Sequence, residues 1–266
     1  MRKLRLLRLL ATTRGCALAC CLAAAGVPVN ALGTTITQWN FNTTLAVNNA
    51  PTPSIGAGSA TPVGMNGGAN NADIVVASGI TPSSDPGVPN NAWRVRGSTS
   101  NGWSGTTQLL SGAQFNVSTA GASNIVASFD VHATDGSSRY GQFQYTVDGT
   151  NFTSFGQLLD FNPTFDGFAP FSFDLSAIPA ANNNPLFGFK LVSAFSPVEF
   201  SNANGVQPAN TAFQRASTTA TVYNGTAGNW RFDMVTVTSV PEPSSVVASV
   251  FAALGLALAR PRRRTA

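Results

Sequence analysis

Cysteine is confined to the first 21 of 266 residues, at Cys16, Cys20 and Cys21. All three fall in a segment with a cationic start (Arg2, Lys3, Arg5, Arg8), an apolar centre from about Gly15 to Ala25 and small residues after it. That is the pattern of a secretory signal peptide over residues 1–31, with cleavage after Ala25 as the rival boundary. The exported chain then contains no cysteine, which excludes disulfides and thiolate metal sites and leaves stability to an ordinary core. Histidine is limited to His132, and between Leu32 and Val240 glutamate is limited to Glu199. One imidazole cannot complete a transition-metal site. A lone glutamate gives no marked pair of glycosidase carboxylates, and no Gly-x-Ser-x-Gly elbow is present.

Positive charge is also scarce where it matters. The chain carries 15 Lys and Arg against 11 Asp and Glu, formally +4 with a pI near 9.3. Arg2, Lys3, Arg5, Arg8 and Arg14 belong to the first segment, and Arg260, Arg262, Arg263 and Arg264 to the last seven residues. Leu32 to Val240 keeps only Arg94, Arg96, Arg139, Lys190, Arg215 and Arg231, against nine Asp and Glu199. The middle is acidic and lacks a basic stripe, so nucleic acid is not its partner.

Helical periodicity is missing from that middle, and period-two stretches take its place, separated by Gly, Pro, Asn, Asp and Ser clusters. Gln38–Phe41, Asp73–Ala77 and Ala92–Gly97 read as surface strands, the last with Trp93 and Val95 opposite Arg94 and Arg96. In Asn124–Gly156, Ile125, Ala127, Phe129 and Val131 share one face, while Ser128, Asp130 and His132 share the other, exposed to solvent. Phe143, Tyr145 and Val147 follow, and Asp148-Gly149 predicts a hairpin turn into "NFTSF". Phe171, Phe173, Phe187, Phe189, Leu191, Trp230 and Phe232 extend the core. Parity slips between Met234 and Val235, which predicts a β-bulge or burial of both faces. The stretch Asn48–Ala72 reads as loop, and the polar insertion after Phe195 as loop with one or two edge strands. The expectation is an all-β fold: an antiparallel, jelly-roll-like β-sandwich over residues 32–239, flanked by a signal helix and a short C-terminal transmembrane helix.

Few residues suggest chemistry. His132, Asp130 and Asp135 would need to converge for acid/base or metal work; the simpler reading is a solvated strand face. Asp73, Asp148, Asp160, Asp166 and Asp233 are scattered candidates for Ca²⁺, with "DFNPTFDG" (Asp160 to Gly167) a faint relative of a Ca²⁺ loop, although such aspartates commonly serve turns. No catalytic, cofactor or metal residue is therefore assigned. Among the tryptophans, Trp39 and Trp230 belong to core strands. Trp103, in the polar loop "STSNGWSGTTQ", is the surface candidate for stacking on a sugar.

The end of the chain is "SVPEPSSVVASVFAALGLALARPRRRTA". Its apolar run, Val246 to Ala259, spans about 21 Å as a helix against a hydrocarbon core of about 30 Å. It is short for a permanent span, and the arginines after it keep that end cytoplasmic. Val240-Pro241-Glu242-Pro243, the short span and Arg260, Arg262, Arg263 and Arg264 in that order resemble the sorting tail of the PEP-CTERM family of exported proteins. Pro261 within the basic cluster is a small departure. The resemblance covers residues 240–266 and implies export in a Gram-negative bacterium and transient anchoring by the helix. It further implies processing near Pro-Glu-Pro by an exosortase-type membrane protease, and association with exopolysaccharide or biofilm at the cell surface or in the extracellular matrix. "YTVDGTNFTSF" and "WRFDMVTV" resemble the jelly-roll ectodomains attached to such tails. Three functions stay open: a non-enzymatic structural or adhesive matrix protein, a carbohydrate-binding module that could use Ca²⁺, and a hydrolase.

Overall fold

Alternation of apolar and polar residues is realised strand by strand in the computed structural model, which describes residues 33–64, 72–96, 103, 105–162, 166–217, 223, 225 and 228–240. The strands in chain order are β1 (Thr34–Trp39), β2 (Ser59–Val63), β3 (Ala72–Val76), β4 (Asn91–Arg96), β5 (Gly112–Asn116), β6 (Ile125–Ala133) and β7 (Tyr140–Thr146). They continue as β8 (Thr153–Ser154), β9 (Leu159–Asp160), β10 (Phe168–Asp174), β11 (Gly188–Ala194), β12 (Phe200–Asn202), β13 (Gly205–Gln207) and β14 (Asn229–Ser239). Sheet A has the order β10-β6-β14-β4-β3 with β1 also beside β14. Sheet B has the order β2-β5-β11-β7-β8 with β9 also beside β7. All pairings are antiparallel, and no α-helix occurs among the described residues. The signal segment and residues 241–266, including Pro241, Glu242, Pro243 and Arg260 to Arg264, lie outside the described residues.

The sheets close face to face on aromatic side chains. Phe129 of sheet A lies 6.3 Å from Phe143 and 6.4 Å from Phe189 of sheet B, and Phe115 of sheet B lies 5.8 Å from Trp93 and 5.9 Å from Phe232 of sheet A. Trp39, Trp93 and Trp230 are fully buried, as their parity predicts, and each indole N–H finds a carbonyl: Pro51, Asn48 and Ser138, respectively.

The parity slip in β14 is a bulge. Met234 takes a left-handed φ of 46°, and the register with β6 shifts between Asp233 and Thr236. The extra residue returns Val235 and Val237 to the buried face already used by Trp230 and Phe232. It also divides one edge of β14 between two partners, β4 along Asn229–Phe232 and β1 along Val235–Ser239.

Two strands correct the sequence reading. β2 lies within the Pro- and Gly-rich stretch expected to be loop, and β5 (GAQFN) was not anticipated. β2 is an edge strand that buries little beyond Ala60, so no run of large apolar residues marks it. The insertion after Phe195 does hold a hairpin, β12–β13.

Candidate functional site

The outward face of sheet A is polar in sequence yet largely covered. Across it run Phe168, His132, Arg231, Arg94 and Asp73, and one level on Pro170, Asp130 and Asp233. The segment 77–90 crosses this face as a strap. Its Ser84 N–H donates to Asp130 at 2.5 Å, Ser83 Oγ to Asp233 at 2.5 Å, and the Ser78 carbonyl accepts from Arg231 at 2.9 Å and from His132 Nδ1 at 3.1 Å. His132 and Asp130 are therefore buried instead of solvated, because the strap's main-chain groups take the place of water.

The expected acid/base trio does not assemble. His132 Nε2 lies 3.4 Å from Asp166, Asp130 holds the strap, and Asp135 pairs with Arg215. Burial first, then the Arg231 guanidinium, holds the His132 pKa below its ordinary value, which favours the neutral ring. Burial likewise pushes the Asp233 carboxyl up to about 7, helped by the charges of Asp85 and Asp130.

The five aspartates weighed as scattered Ca²⁺ candidates serve separate tasks. Asp73 pairs with Arg94 and Arg96, Asp160 with Arg139, Asp166 lies by His132, and Asp233 holds Ser83 and the Met234 N–H. Asp148 accepts from Thr146, Thr150 and Asn151 in its own turn, which holds its pKa far below the carboxylate range. Among the described residues no three His, Cys, Asp or Glu side chains come together as a metal site would need.

Trp103 is a correction. Only 2% of it is exposed; its indole N–H donates to the Gly228 carbonyl at 2.8 Å, and its ring meets Trp230 edge-on at 4.6 Å. It lines a concavity of about 350 Å³ together with Phe213, Tyr223, Asn202, Asn204 and Gln207, but offers no free ring face for a sugar. A second concavity, of about 460 Å³, lies beside the strap between Ser84, Asp130, Pro170, Met234 and Thr236.

Sheet B presents a different outward surface. Side chains that alternate with the core residues Ala113, Phe115, Phe143, Phe189 and Leu191 form one row of Thr61, Gln114, Lys190, Gln144 and Ser154. The next row is Ser59, Asn116, Gly188 and Thr146, with Phe152 beyond the edge. Gln114 Nε2 donates to Asn116 at 3.1 Å, Asn116 Nδ2 to Ser59 at 3.2 Å, and Gln144 Nε2 to Ser154 at 3.1 Å. These bonds fix the planes of three amides; Gln114 and Asn116 keep further hydrogen-bonding capacity at the surface, whereas Gln144 is buried.

Gly188 lets its neighbours close over the middle of this row. A Cβ there would lie 2.7 Å from Asn116 Oδ1, 3.0 Å from the Phe115 carbonyl oxygen and 3.3 Å from Thr146 Cγ2. The Asp148-Gly149 turn, with Gly149 at φ 79°, returns the chain so that Phe152 stands beside Lys190, its ring centroid 4.2 Å from Nζ. Gln144, Thr146 and Gly188 are buried, as are Val192, Ala194 and Tyr140 farther along the face, so the accessible part of the platform is Ser59, Thr61, Gln114, Asn116, Lys190 and Ser154. Phe143, Tyr145 and the turn are legible in the sequence but this platform is not, since it depends on β11 lying between β5 and β7.

Val240, which precedes Pro241-Glu242-Pro243, is the last residue described. Its N–H donates to the Asn124 carbonyl at 3.1 Å and its carbonyl accepts from Asn124 Nδ2 at 3.0 Å, so it is tied to the start of β6.

No protein-family model and no curated protein matches the chain. Among solved structures it is similar to the N-terminal cellulose-binding domain of β-1,4-glucanase C from Cellulomonas fimi, at 12% identity and a TM-score of 0.27, over 66% of this chain and 92% of that one. It is also similar to SGBP-B from a complex xyloglucan utilization locus of Bacteroides uniformis, at 9% identity and a TM-score of 0.30, over 78% of this chain and 66% of that one. A fragment comprising domains CD of another protein aligns at 11% identity and a TM-score of 0.33, over 72% of this chain and 66% of that one. The chain thus spans about two thirds of the length of SGBP-B and of the CD fragment. The platform described above rests on this chain's own residues and not on these likenesses.

Proposed function

We propose that the protein is an exported, jelly-roll-like β-sandwich that binds polysaccharide on the open face of sheet B, without turning it over. The observation that carries this reading is the pair of rows Thr61-Gln114-Lys190-Gln144-Ser154 and Ser59-Asn116-Gly188-Thr146, in which the amides of Gln114 and Asn116 are held by their neighbours beside Lys190 at the accessible end of the face. Vicinal sugar hydroxyls are matched by side chains that donate and accept in one plane, and a pre-fixed amide loses little rotamer entropy on binding. Of the readings open from the sequence, carbohydrate binding therefore stands ahead of a purely structural or adhesive role.

The tail residues Val240, Pro241, Glu242, Pro243, Arg260, Arg262, Arg263 and Arg264 serve, in this proposal, as a sorting signal. It anchors the exported chain transiently and is cut by an exosortase-type protease, leaving the sandwich at the cell surface or in the exopolysaccharide matrix of a Gram-negative envelope. Affinity electrophoresis of the exported protein through gels containing soluble polysaccharides tests the binding. Retardation that is lost in Gln114→Ala/Asn116→Ala supports it, and unretarded migration in every gel opposes it.

A further inference from the structure

Lys190 is the single lysine between Leu32 and Val240, and it lies on β11, the central strand of sheet B, between Gln114 and Gln144. Arg94, Arg96, Arg139 and Arg215 each pair with an aspartate, whereas Lys190 has no carboxylate partner among the described residues. The two rows around it contain no Asp or Glu. Asp148 and Asp160, at the ends of the neighbouring elements, are taken up by the Asp148 turn and by Arg139.

The ammonium instead stands 4.2 Å from the ring centroid of Phe152. A cation over an aromatic face is held in place but keeps N–H groups free for an anion. Burial lowers the Lys190 pKa from its ordinary value without any compensating charge. A half-buried, unpaired cation costs free energy in the unliganded protein, and a ligand carboxylate placed against it recovers that cost.

We propose that the glycan bound on this face bears carboxylate groups, and that Lys190 selects for them by pairing with one carboxylate while Gln114 and Asn116 hold the ring hydroxyls. This rests on the carbohydrate-binding reading above. The domain as a whole is acidic, so affinity for an acidic polymer must come from a local contact of this kind and not from its overall field.

The test is calorimetric titration of the exported protein with three oligosaccharides of equal length: an oligogalacturonate, its full methyl ester and a neutral β-glucan. Wild type is expected to bind the free acid about tenfold tighter than the ester, the worth of one charge-assisted hydrogen bond. Lys190→Gln should bind acid and ester alike, and Lys190→Arg should keep most of the preference. Thermal unfolding of the variants checks that each is folded. Equal wild-type binding of acid and ester, or a preference that survives Lys190→Gln, overturns the role of Lys190 while leaving glycan binding intact. Binding of none of the three overturns the underlying reading as well.

Discussion

Asp130 on β6 and Asp233 on β14 face each other across the strand pair on the covered side of sheet A, and each accepts a 2.5 Å hydrogen bond from the strap, from Ser84 N–H and Ser83 Oγ respectively. Asp233 is wholly buried and its carboxyl is raised to about 7, so it is protonated in the folded protein over a range in which the unfolded chain, near 3.8, is ionised. The folded state binds the extra proton between about pH 4 and pH 7, so stability should fall as pH rises through that window and level off above it. Asp233→Asn keeps an acceptor for the Met234 N–H and cannot ionise. Its melting temperature should exceed wild type by several degrees at pH 8 and match it near pH 4, as differential scanning calorimetry would show.

Trp103 packs against Trp230 and donates to Gly228, so it acts in the core. Trp103→Ala should cost about 3–5 kcal/mol, a fall in melting temperature on the order of 10 °C for a domain of this size. Trp103→Phe should lose far less. An unchanged melting temperature in Trp103→Ala would mean that the ring is not buried.

Gly188 offers a gentler way to perturb the platform. Gly188→Ala sets a methyl group 2.7 Å from Asn116 Oδ1, and the Asn116 side chain must move away. Polysaccharide affinity should fall severalfold, with a loss of stability of about 1–3 kcal/mol because Gly188 is buried and the methyl also meets the Phe115 carbonyl oxygen at 3.0 Å. Equal affinity in this variant would remove Asn116 from the site.

The tail makes a separate prediction. Mass spectrometry of the protein from cells with and without the exosortase should find released chains that end near Pro241 to Pro243 only when the enzyme is present. Released protein that still carries Arg260 to Arg264 would contradict the processing proposal.

Much of the fold was legible because burial writes period two into a strand. Ile125, Ala127, Phe129 and Val131, and the slip at Met234, stand in the structure as the alternation predicts. β2 was hidden because an edge strand that buries chiefly Ala60 needs no apolar run. His132 and Asp130 were read as solvated because the strap that covers them comes from residues 77–90, about fifty positions earlier, and local pattern carries no trace of it. Trp103 misled for a related reason: polar neighbours describe the loop, whereas the Gly228 carbonyl that receives its indole N–H lies 125 residues away. The platform itself depends on strand order, which brings Gln114, Lys190 and Gln144 into one row from three separate strands.

The most direct measurement of glycan binding on sheet B is residue-resolved NMR during titration of the protein with an acidic oligosaccharide. The account predicts saturable shifts concentrated at the side-chain amides of Gln114 and Asn116, the Lys190 methylenes and the Phe152 ring. Saturable shifts centred instead on the Trp103–Tyr223 concavity or on the strap over Asp130, with the sheet B rows silent, would contradict it.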